Sequence, residues 1–250
     1  MRPTLDESKV FYGNAMDSFD AIYIINLPTR PDRKAEMIEQ LRGAGIDPGS
    51  AMVKFFDAVR PADAGDFPSL GARGCFLSHV GVLKSAMAAG HRRVLVLEDD
   101  ANFVKDFPRR FEPVAAALES REWGMAYLGA LAVKPPCQVT PPLESIPATS
   151  SVMGTHMFAV AGPAIPQIIA YFEAMLRRSA GDPQGGPMHV DGAYSWFRKS
   201  HPAMVTLLCE PALGYQRPSR TDVHQTKWFD RTPIVRDLVA VLRRSKPRLG

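Results

Sequence analysis

Three consecutive carboxylates, Glu98, Asp99 and Asp100, directly follow the aliphatic run of residues 94–97. An uninterrupted aliphatic run is typical of a strand that is buried on both faces of a sheet. Ligands of open α/β sheets bind at the carboxyl ends of such strands. Adjacent carboxylates repel one another unless a cation compensates their charge, and oxygen ligands suit Mg²⁺ or Mn²⁺, which also hold nucleotide phosphates. The segment therefore predicts a site for a divalent cation and a nucleotide.

Because side chains alternate along a strand, Glu98 and Asp100 are predicted to face one side of the sheet and Asp99 the other. An alternative interpretation is that Asp99 or Asp100 only caps a following helix. Acids at a strand end also occur in phosphatases and nucleotidyltransferases, so this segment alone leaves the enzyme class open. The sequence has no P-loop, and no glycine-rich phosphate cradle follows its first predicted strand.

Short aliphatic runs alternate with longer helical patterns, which predicts an α/β fold with a mostly parallel sheet flanked by helices. The predicted strands are residues 21–27, 53–57, 94–97, 125–128, 156–160 and 204–209. The predicted helices are residues 32–41, 75–89, 163–178, 190–199 and 234–244. Asp32 is predicted to cap the first helix, and the proline-rich residues 134–151 and glycine-rich residues 181–187 are predicted loops.

The 250 residues predict one α/β domain (20–230) between an N-terminal extension (1–19) and a basic C-terminal helix or tail (231–250). The three cysteines lack the close spacing of a disulfide framework or a cysteine-based zinc site, which favours a reducing compartment. The first twenty residues lack the apolar region of a signal peptide, and no run reaches the roughly 18–20 apolar residues of a membrane span. We therefore expect a cytoplasmic protein.

The formal charge is +4, and much of the excess lies in Arg243, Arg244, Lys246 and Arg248. An apolar stretch precedes these residues, so the tail predicts peripheral contact with the inner face of a membrane. A solvated chain end is the alternative interpretation. The modest net charge predicts no nucleic-acid partner.

Three ordered segments, residues 22–33, 71–79 and 94–100, resemble conserved blocks of glycosyltransferase family 25, which includes lipopolysaccharide-biosynthesis enzymes and collagen galactosyltransferases. The resemblance implies a GT-A-type, Rossmann-like fold, a UDP-sugar donor, Mn²⁺ or Mg²⁺ as cofactor, and an inverting mechanism. It also implies a glycan or glycolipid acceptor, of the lipopolysaccharide or lipooligosaccharide class. The family commonly has an acid just before the Gly-Cys pair of the second block, Gly74 and Cys75 here, where this chain has Ala72 and Arg73.

Metal and base roles can be assigned within this framework. Asp100 is predicted to bind the metal directly, with Glu98 binding the metal or the donor ribose and Asp99 supporting them. His224 is a further predicted metal ligand, and the alternative is an exposed loop histidine. Asp191, which follows a glycine-rich loop, is the predicted base for the acceptor hydroxyl, and the alternative is an N-cap aspartate.

Donor-binding roles fall on residues of the first two blocks. Arg30 and Arg33 are predicted to bind the nucleotide, because guanidinium groups suit phosphate geometry. Asn26 is predicted to order the turn or to contact the base. Ser78 and His79 are assigned to the donor site only by the family resemblance, since a lone helical histidine is usually a core residue. A nucleotidyltransferase or phosphatase and a catalytically degenerate nucleotide-sugar-binding protein remain the competing hypotheses.

Overall fold

The computed structural model describes residues 16–137 and 139–217. Its strands are β1 (Ala21–Asn26), β2 (Val53–Asp57), β3 (Arg93–Glu98), β4 (Ala101–Phe103), β5 (Met125–Gly129), β6 (Ala132–Lys134), β7 (Leu143–Ser145), β8 (Ser151–Met153), β9 (Met157–Ala161), β10 (Thr206–Cys209) and β11 (Gly214–Gln216). Its helices are α1 (Pro31–Gly43), α2 (Leu70–Ala88), α3 (Phe107–Glu119), α4 (Ala164–Met175) and α5 (Val190–Ser200).

A central sheet has the strand order β2-β1-β3-β9-β5-β10-β7. Strands β2, β1, β3, β5 and β10 run in one direction, whereas β9 and the edge strand β7 are antiparallel to their neighbours. Two small sheets, β4–β11 and β6–β8, accompany it. The predicted α/β class, a mostly parallel sheet flanked by helices, is confirmed. Each predicted strand is present, with ends within two residues of the prediction.

The two faces of the central sheet carry separate apolar clusters, because alternate residues of each strand face opposite sides. Ile22 and Ile24 of β1 belong to the cluster that also contains residues of α1 and α3. Tyr23 and Ile25 belong to the cluster that contains residues of α2, α4 and α5. Strands buried on both faces are therefore held from both sides, and their carboxyl ends are fixed relative to one another.

The N-terminal ends of the first two helices differ from the prediction. Helix α1 begins at Pro31 after Arg30, and Asp32 lies in its first turn, where it pairs with Arg30 at 2.8 Å; Asp32 is therefore not the cap. Helix α2 begins five residues earlier than predicted, because the Ser69 hydroxyl accepts a hydrogen bond from the Ala72 amide at 3.0 Å. This earlier start adds a helical turn beside the candidate site.

Helix α3 was absent from the prediction because its sequence contains two prolines. Pro108 lies in the first turn, where a missing amide is tolerated, and Pro113 lies inside the helix. The helix forms because it buries an apolar face that includes Phe107, Phe111 and Leu118. Tertiary packing therefore outweighs the local cost of Pro113.

Part of the predicted loop 134–151 is also ordered as a strand. Strand β7 pairs antiparallel with β10 and forms one edge of the central sheet. The predicted helix 234–244, most of the extension 1–19 and the tail 231–250 lie outside the described residues. Among the residues that are described, no helix is both long and apolar enough to cross a membrane.

Candidate functional site

A cavity of about 650 Å³ opens at the carboxyl ends of β1 and β3. Its walls come from the loop after β2, the first turns of α2, the segment before β9, the start of α5 and the end of β11. This volume lies within the roughly 300–1,000 Å³ typical of small-molecule sites. Acidic and cationic side chains both line the cavity. The acidic residues are Glu98, Asp99, Asp100 and Asp191, and the arginines are Arg30, Arg33, Arg60 and Arg217.

The three carboxylates all line this cavity. Strand β3 ends at Glu98, and Asp99 and Asp100 occupy the turn that leads into β4. The prediction that Asp99 faces away from the other two is therefore wrong, because strand alternation stops at Glu98. The helix-capping alternative is also wrong, since β4 follows the turn and the next helix begins at Phe107.

Asp99 is held by two residues from the β1–α1 segment. Its Oδ1 atom accepts a hydrogen bond from Arg33 at 2.6 Å, and its Oδ2 atom accepts one from the Asn26 side chain at 2.9 Å. Asn26 also donates to the Arg30 carbonyl at 3.2 Å, so it orders the turn after β1. The contacts form because β1 and β3 are adjacent parallel strands whose ends coincide.

Asp100 is buried and only partly satisfied. Its Oδ2 atom accepts a hydrogen bond from the Gln216 side chain at 3.1 Å and lies 3.9 Å from Arg33. Its Oδ1 atom has no hydrogen-bond partner within the described part of the chain. Burial and the charge of Glu98 raise the pKa of Asp100 to about 7, against the opposing effects of Arg33 and Gln216. A bound cation would satisfy the free oxygen and favour the ionised carboxylate.

Glu98 faces a different set of partners. Its Oε1 atom accepts a hydrogen bond from the Thr155 hydroxyl at 2.6 Å and lies 3.7 Å from the Nε2 atom of His79. Burial opposes ionisation of Glu98, but His79, Thr155 and His156 outweigh it and hold its pKa below the ordinary value. Glu98 is therefore ionised at neutral pH.

His79 lies behind the wall of the cavity and is 1% exposed. Its ring stacks on Phe158 at 5.6 Å between centroids, and its Nδ1 atom lies 3.3 Å from the Tyr194 hydroxyl. One turn earlier in α2, Cys75 lines the cavity itself. Burial and the charge of Glu98 raise the pKa of the Cys75 thiol well above its ordinary value, so the free thiol is protonated at neutral pH.

Ser78 joins helix α2 to the loop after β2. Its hydroxyl donates to the Gly74 carbonyl at 2.6 Å and accepts from the Val59 amide at 2.8 Å. Its oxygen is thereby engaged by the backbone, although the residue borders the cavity. The donor-site role taken from the family resemblance remains a prediction.

Asp191 reaches the same cavity from the first turn of α5. The N-cap position belongs to His189, so the alternative of an N-cap aspartate is wrong. The Asp191 carboxylate accepts from the Gly192 amide at 2.8 Å and from the Gly154 amide at 3.4 Å. These contacts orient the side chain and leave it half-buried beside the cavity.

Several lining residues were not predicted as site residues. Arg217 donates to the Asp99 carbonyl at 2.9 Å and pairs with Glu36 at 3.0 Å, and its amide donates to the Asp100 carbonyl at 2.7 Å. Strand pairing of β11 with β4 brings Gln216 and Arg217 there. No local sequence pattern signals so distant a contact. His224, the third predicted metal ligand, lies outside the described residues.

Comparison with known proteins links the first half of the chain to one family. Residues 19–131 match the family model described as glycosyltransferase family 25 (LPS biosynthesis protein). The chain is 30% identical over 152 residues to the human inactive glycosyltransferase 25 family member 3, covering 54% of this chain and 24% of the relative. It is 25% identical over 203 residues to mouse procollagen galactosyltransferase 2, covering 74% of this chain and 31% of the relative. The chain thus spans about a third or less of these relatives.

Solved structures show more distant similarity. A glycosyltransferase involved in the glycosylation of the major capsid of PBCV-1 aligns with a TM-score of 0.34 and 11% identity, covering 77% of this chain and 94% of that chain. Mannose-1-phosphate geranyltransferase from Thermus thermophilus aligns with a TM-score of 0.38 and 11% identity, covering 76% and 72%.

Proposed function

We propose that this chain, whose residues 19–131 match the model of glycosyltransferase family 25, is a member of that family and transfers a hexose from a UDP-sugar to a glycan acceptor with inversion at the anomeric carbon. The acceptor we propose is a lipopolysaccharide or lipooligosaccharide, in keeping with the family description. The observation that carries the proposal is Asp100, a buried carboxylate with one unpartnered oxygen in a cavity that also presents arginines. That combination suits a cation and a diphosphate bound side by side.

Asp100 and Glu98 are the described residues that would hold Mn²⁺ or Mg²⁺, and His224 is the further proposed ligand. Asp100 and Glu98 both line the cavity and offer carboxylate oxygens as ligands, and one oxygen of Asp100 has no hydrogen-bond partner among the described residues. These ligands fit a hard divalent cation. When bound, the cation would stabilise the negative charge of the leaving diphosphate.

The donor phosphates would be bound by the arginines that line the cavity. Arg30, Arg60 and Arg217 line the cavity, and a guanidinium group can bind two phosphate oxygens at once. Arg33 already holds Asp99 at 2.6 Å, so its contribution is to position the acids as well as to add positive charge. Orientation of the donor by these fixed groups supplies part of the rate enhancement.

Asp191 would serve as the base. It is half-buried at the cavity wall and is oriented by two backbone amides. As the acceptor oxygen attacks the anomeric carbon, its proton passes to the Asp191 carboxylate, and the bond between sugar and diphosphate breaks with its electron pair leaving on UDP. The acceptor then lies on the opposite face of the sugar from UDP, which gives inversion.

The test is a screen of UDP-sugars with and without Mn²⁺, measured as UDP release and as melting temperature. We expect one donor to raise the melting temperature and to release UDP slowly with Mn²⁺ present. Asp100→Asn is expected to abolish turnover in a folded protein, and Asp191→Ala to abolish turnover while donor binding is retained. Near-normal metal-dependent turnover in Asp100→Asn would show that this metal assignment is wrong.

A second candidate function is binding of a nucleotide sugar without transfer. Two observations favour it: the human relative is named an inactive family member, and Ala72 lines the cavity where the family commonly has an acid. A binding protein would show donor-dependent stabilisation without UDP release. With a nucleoside triphosphate added to the screen, a nucleotidyltransferase would be stabilised by the triphosphate in preference to every UDP-sugar.

The flanking segments complete the proposal. Residues 20–230 would form the transferase domain, with 1–19 and 231–250 as extensions. The basic residues of 231–250 would hold the protein at the inner, cytoplasmic face of a membrane, where a glycolipid acceptor is presented.

A further inference from the structure

Cys75, His79 and Glu98 converge beside the acid turn, the turn of Asp99 and Asp100 between β3 and β4. Cys75 and His79 are four residues apart in α2 and therefore lie on one face of the helix, and Glu98 ends the neighbouring strand β3. A sulfur, a ring nitrogen and a carboxylate oxygen from these residues all lie within 4.8 Å of one another. The separation of 3.7 Å between His79 Nε2 and Glu98 Oε1 leaves room for an ion that contacts both atoms.

His79 supplies an independent indication of a ligand. The residue is 1% exposed and its side chain is fully buried, and its Nε2 atom has no hydrogen-bond partner among the residues described. Buried ring nitrogens are normally satisfied, so an unpartnered one calls for an explanation. Stacking on Phe158 and the contact of Nδ1 with Tyr194 at 3.3 Å fix the ring with Nε2 directed towards Glu98.

A simple ion pair does not account for this geometry. A protonated histidine bound to a carboxylate forms a hydrogen bond of roughly 2.7–2.9 Å, which is about an ångström shorter than the separation seen here. The Glu98 oxygen nearest to His79 instead takes its short hydrogen bond, at 2.6 Å, from Thr155.

We propose that Cys75, His79 and Glu98 bind a thiophilic divalent cation of the Zn²⁺ or Co²⁺ class. Thiolate and imidazole ligands select such ions over Mg²⁺ and Mn²⁺, which prefer oxygen. Tyr194 and Thr155 then act as outer partners that hold the histidine and the glutamate in orientation. Binding releases the Cys75 thiol proton to solvent as the thiolate coordinates the ion.

Three protein ligands leave one coordination position for another group. Cys75 and Glu98 both line the cavity, so this position opens towards it. The wide spacing of the cysteines excludes only metal sites built from several cysteines. A mixed site needs one cysteine and is compatible with that spacing. The site does not depend on the proposed sugar transfer, although it shares Glu98 with the oxygen-donor set that contains Asp100.

The test is Co²⁺ titration of the full-length, reduced protein, followed by absorption spectroscopy. We expect one Co²⁺ per chain with a near-ultraviolet thiolate-to-cobalt charge-transfer band, which Zn²⁺ abolishes and excess Mg²⁺ does not. Cys75→Ser should remove the band and weaken Co²⁺ binding by more than the roughly 10–100-fold cost of losing an outer partner. Cys137→Ser, a substitution at another half-buried free cysteine, is the matched control and should keep the band.

Three outcomes would overturn the proposal: a band that persists in Cys75→Ser, Co²⁺ binding without a band, or no binding at all. His79→Gln should also lose the band, and Asp100→Asn should keep it. A protein with the band but without UDP release retains this site while the proposed function fails. Sugar transfer by a protein that lacks the band would contradict the Cys75–His79–Glu98 site and leave the proposed function standing.

Discussion

The Arg33 guanidinium lies 2.6 Å from Asp99 and 3.9 Å from Asp100, between two carboxylates that would otherwise repel each other. Arg33→Ala leaves two buried acids without their cation, so the free energy of unfolding should fall by roughly 3–5 kcal/mol. Urea denaturation measures this change. The matched control is Arg30→Ala, whose ion pair with Asp32 is exposed and should matter little. Equal losses in the two variants would contradict this account of Arg33.

Asp100 predicts a pH-dependent stability in the metal-free protein. Its pKa of about 7 in the fold exceeds the ordinary aspartate pKa of 3.8, so between these pH values the unfolded chain binds fewer protons than the folded one, and stability falls as pH rises. Above about pH 7, ionisation of the buried Asp100 lowers the free energy of unfolding by roughly 4 kcal/mol. With a chelator present, Asp100→Asn should therefore be more stable than the wild type at pH 8 and similar at pH 4. If denaturant titrations gave the two proteins the same dependence of unfolding free energy on pH, the raised pKa of Asp100 would be contradicted.

At the scale of elements, Ser78 fixes the loop after β2 against helix α2. Ser78→Ala leaves the Val59 amide without its acceptor, and the expected loss of unfolding free energy is roughly 1–3 kcal/mol. Ser85→Ala, in the same helix, is the control and should change stability little, since alanine is a good helix former. Denaturant titration of both variants decides between a tethering role and an incidental contact. Similar stabilities would mean that the tether is unimportant.

Elements with a strong local pattern could be predicted from the sequence, whereas contacts between distant segments could not. The aliphatic run before Glu98 specifies β3 because both faces of that strand are buried. Helix α3 is not predicted, because Pro108 and Pro113 argue locally against a helix that tertiary packing stabilises. The acids at 98–100 lie at the carboxyl end of β3, as their position after the aliphatic run predicts, but Gln216 and Arg217 reach them through the pairing of β11 with β4, which no local pattern encodes. Cys75 and His79 could be assigned to one helix face, while their approach to Glu98 required the fold.

At the scale of the whole molecule, the basic tail predicts where the protein acts. Deletion of residues 235–250 removes Arg243, Arg244, Lys246 and Arg248, and should abolish binding to vesicles that contain anionic lipid. Co-sedimentation at low salt measures this loss, and binding of the intact chain should weaken as salt is raised. The melting temperature of the deleted protein should match that of the full chain. Unchanged vesicle binding after deletion would show that the tail is not the membrane contact.

Pairing of β4 with β11 has a consequence for how the molecule is made. Asp100 receives a side-chain hydrogen bond from Gln216, 116 residues later in the chain, and its carbonyl accepts from the Arg217 amide. In a nascent chain, the acid turn therefore lacks its contacts with Gln216 and Arg217 until the ribosome has synthesised residue 217. Long-range closures of this kind form slowly, because chain entropy is lost before the contacts stabilise the fold. The segment that matches the family model, residues 19–131, ends before these partners, so if it were expressed alone it would carry the acids without the groups that complete their surroundings.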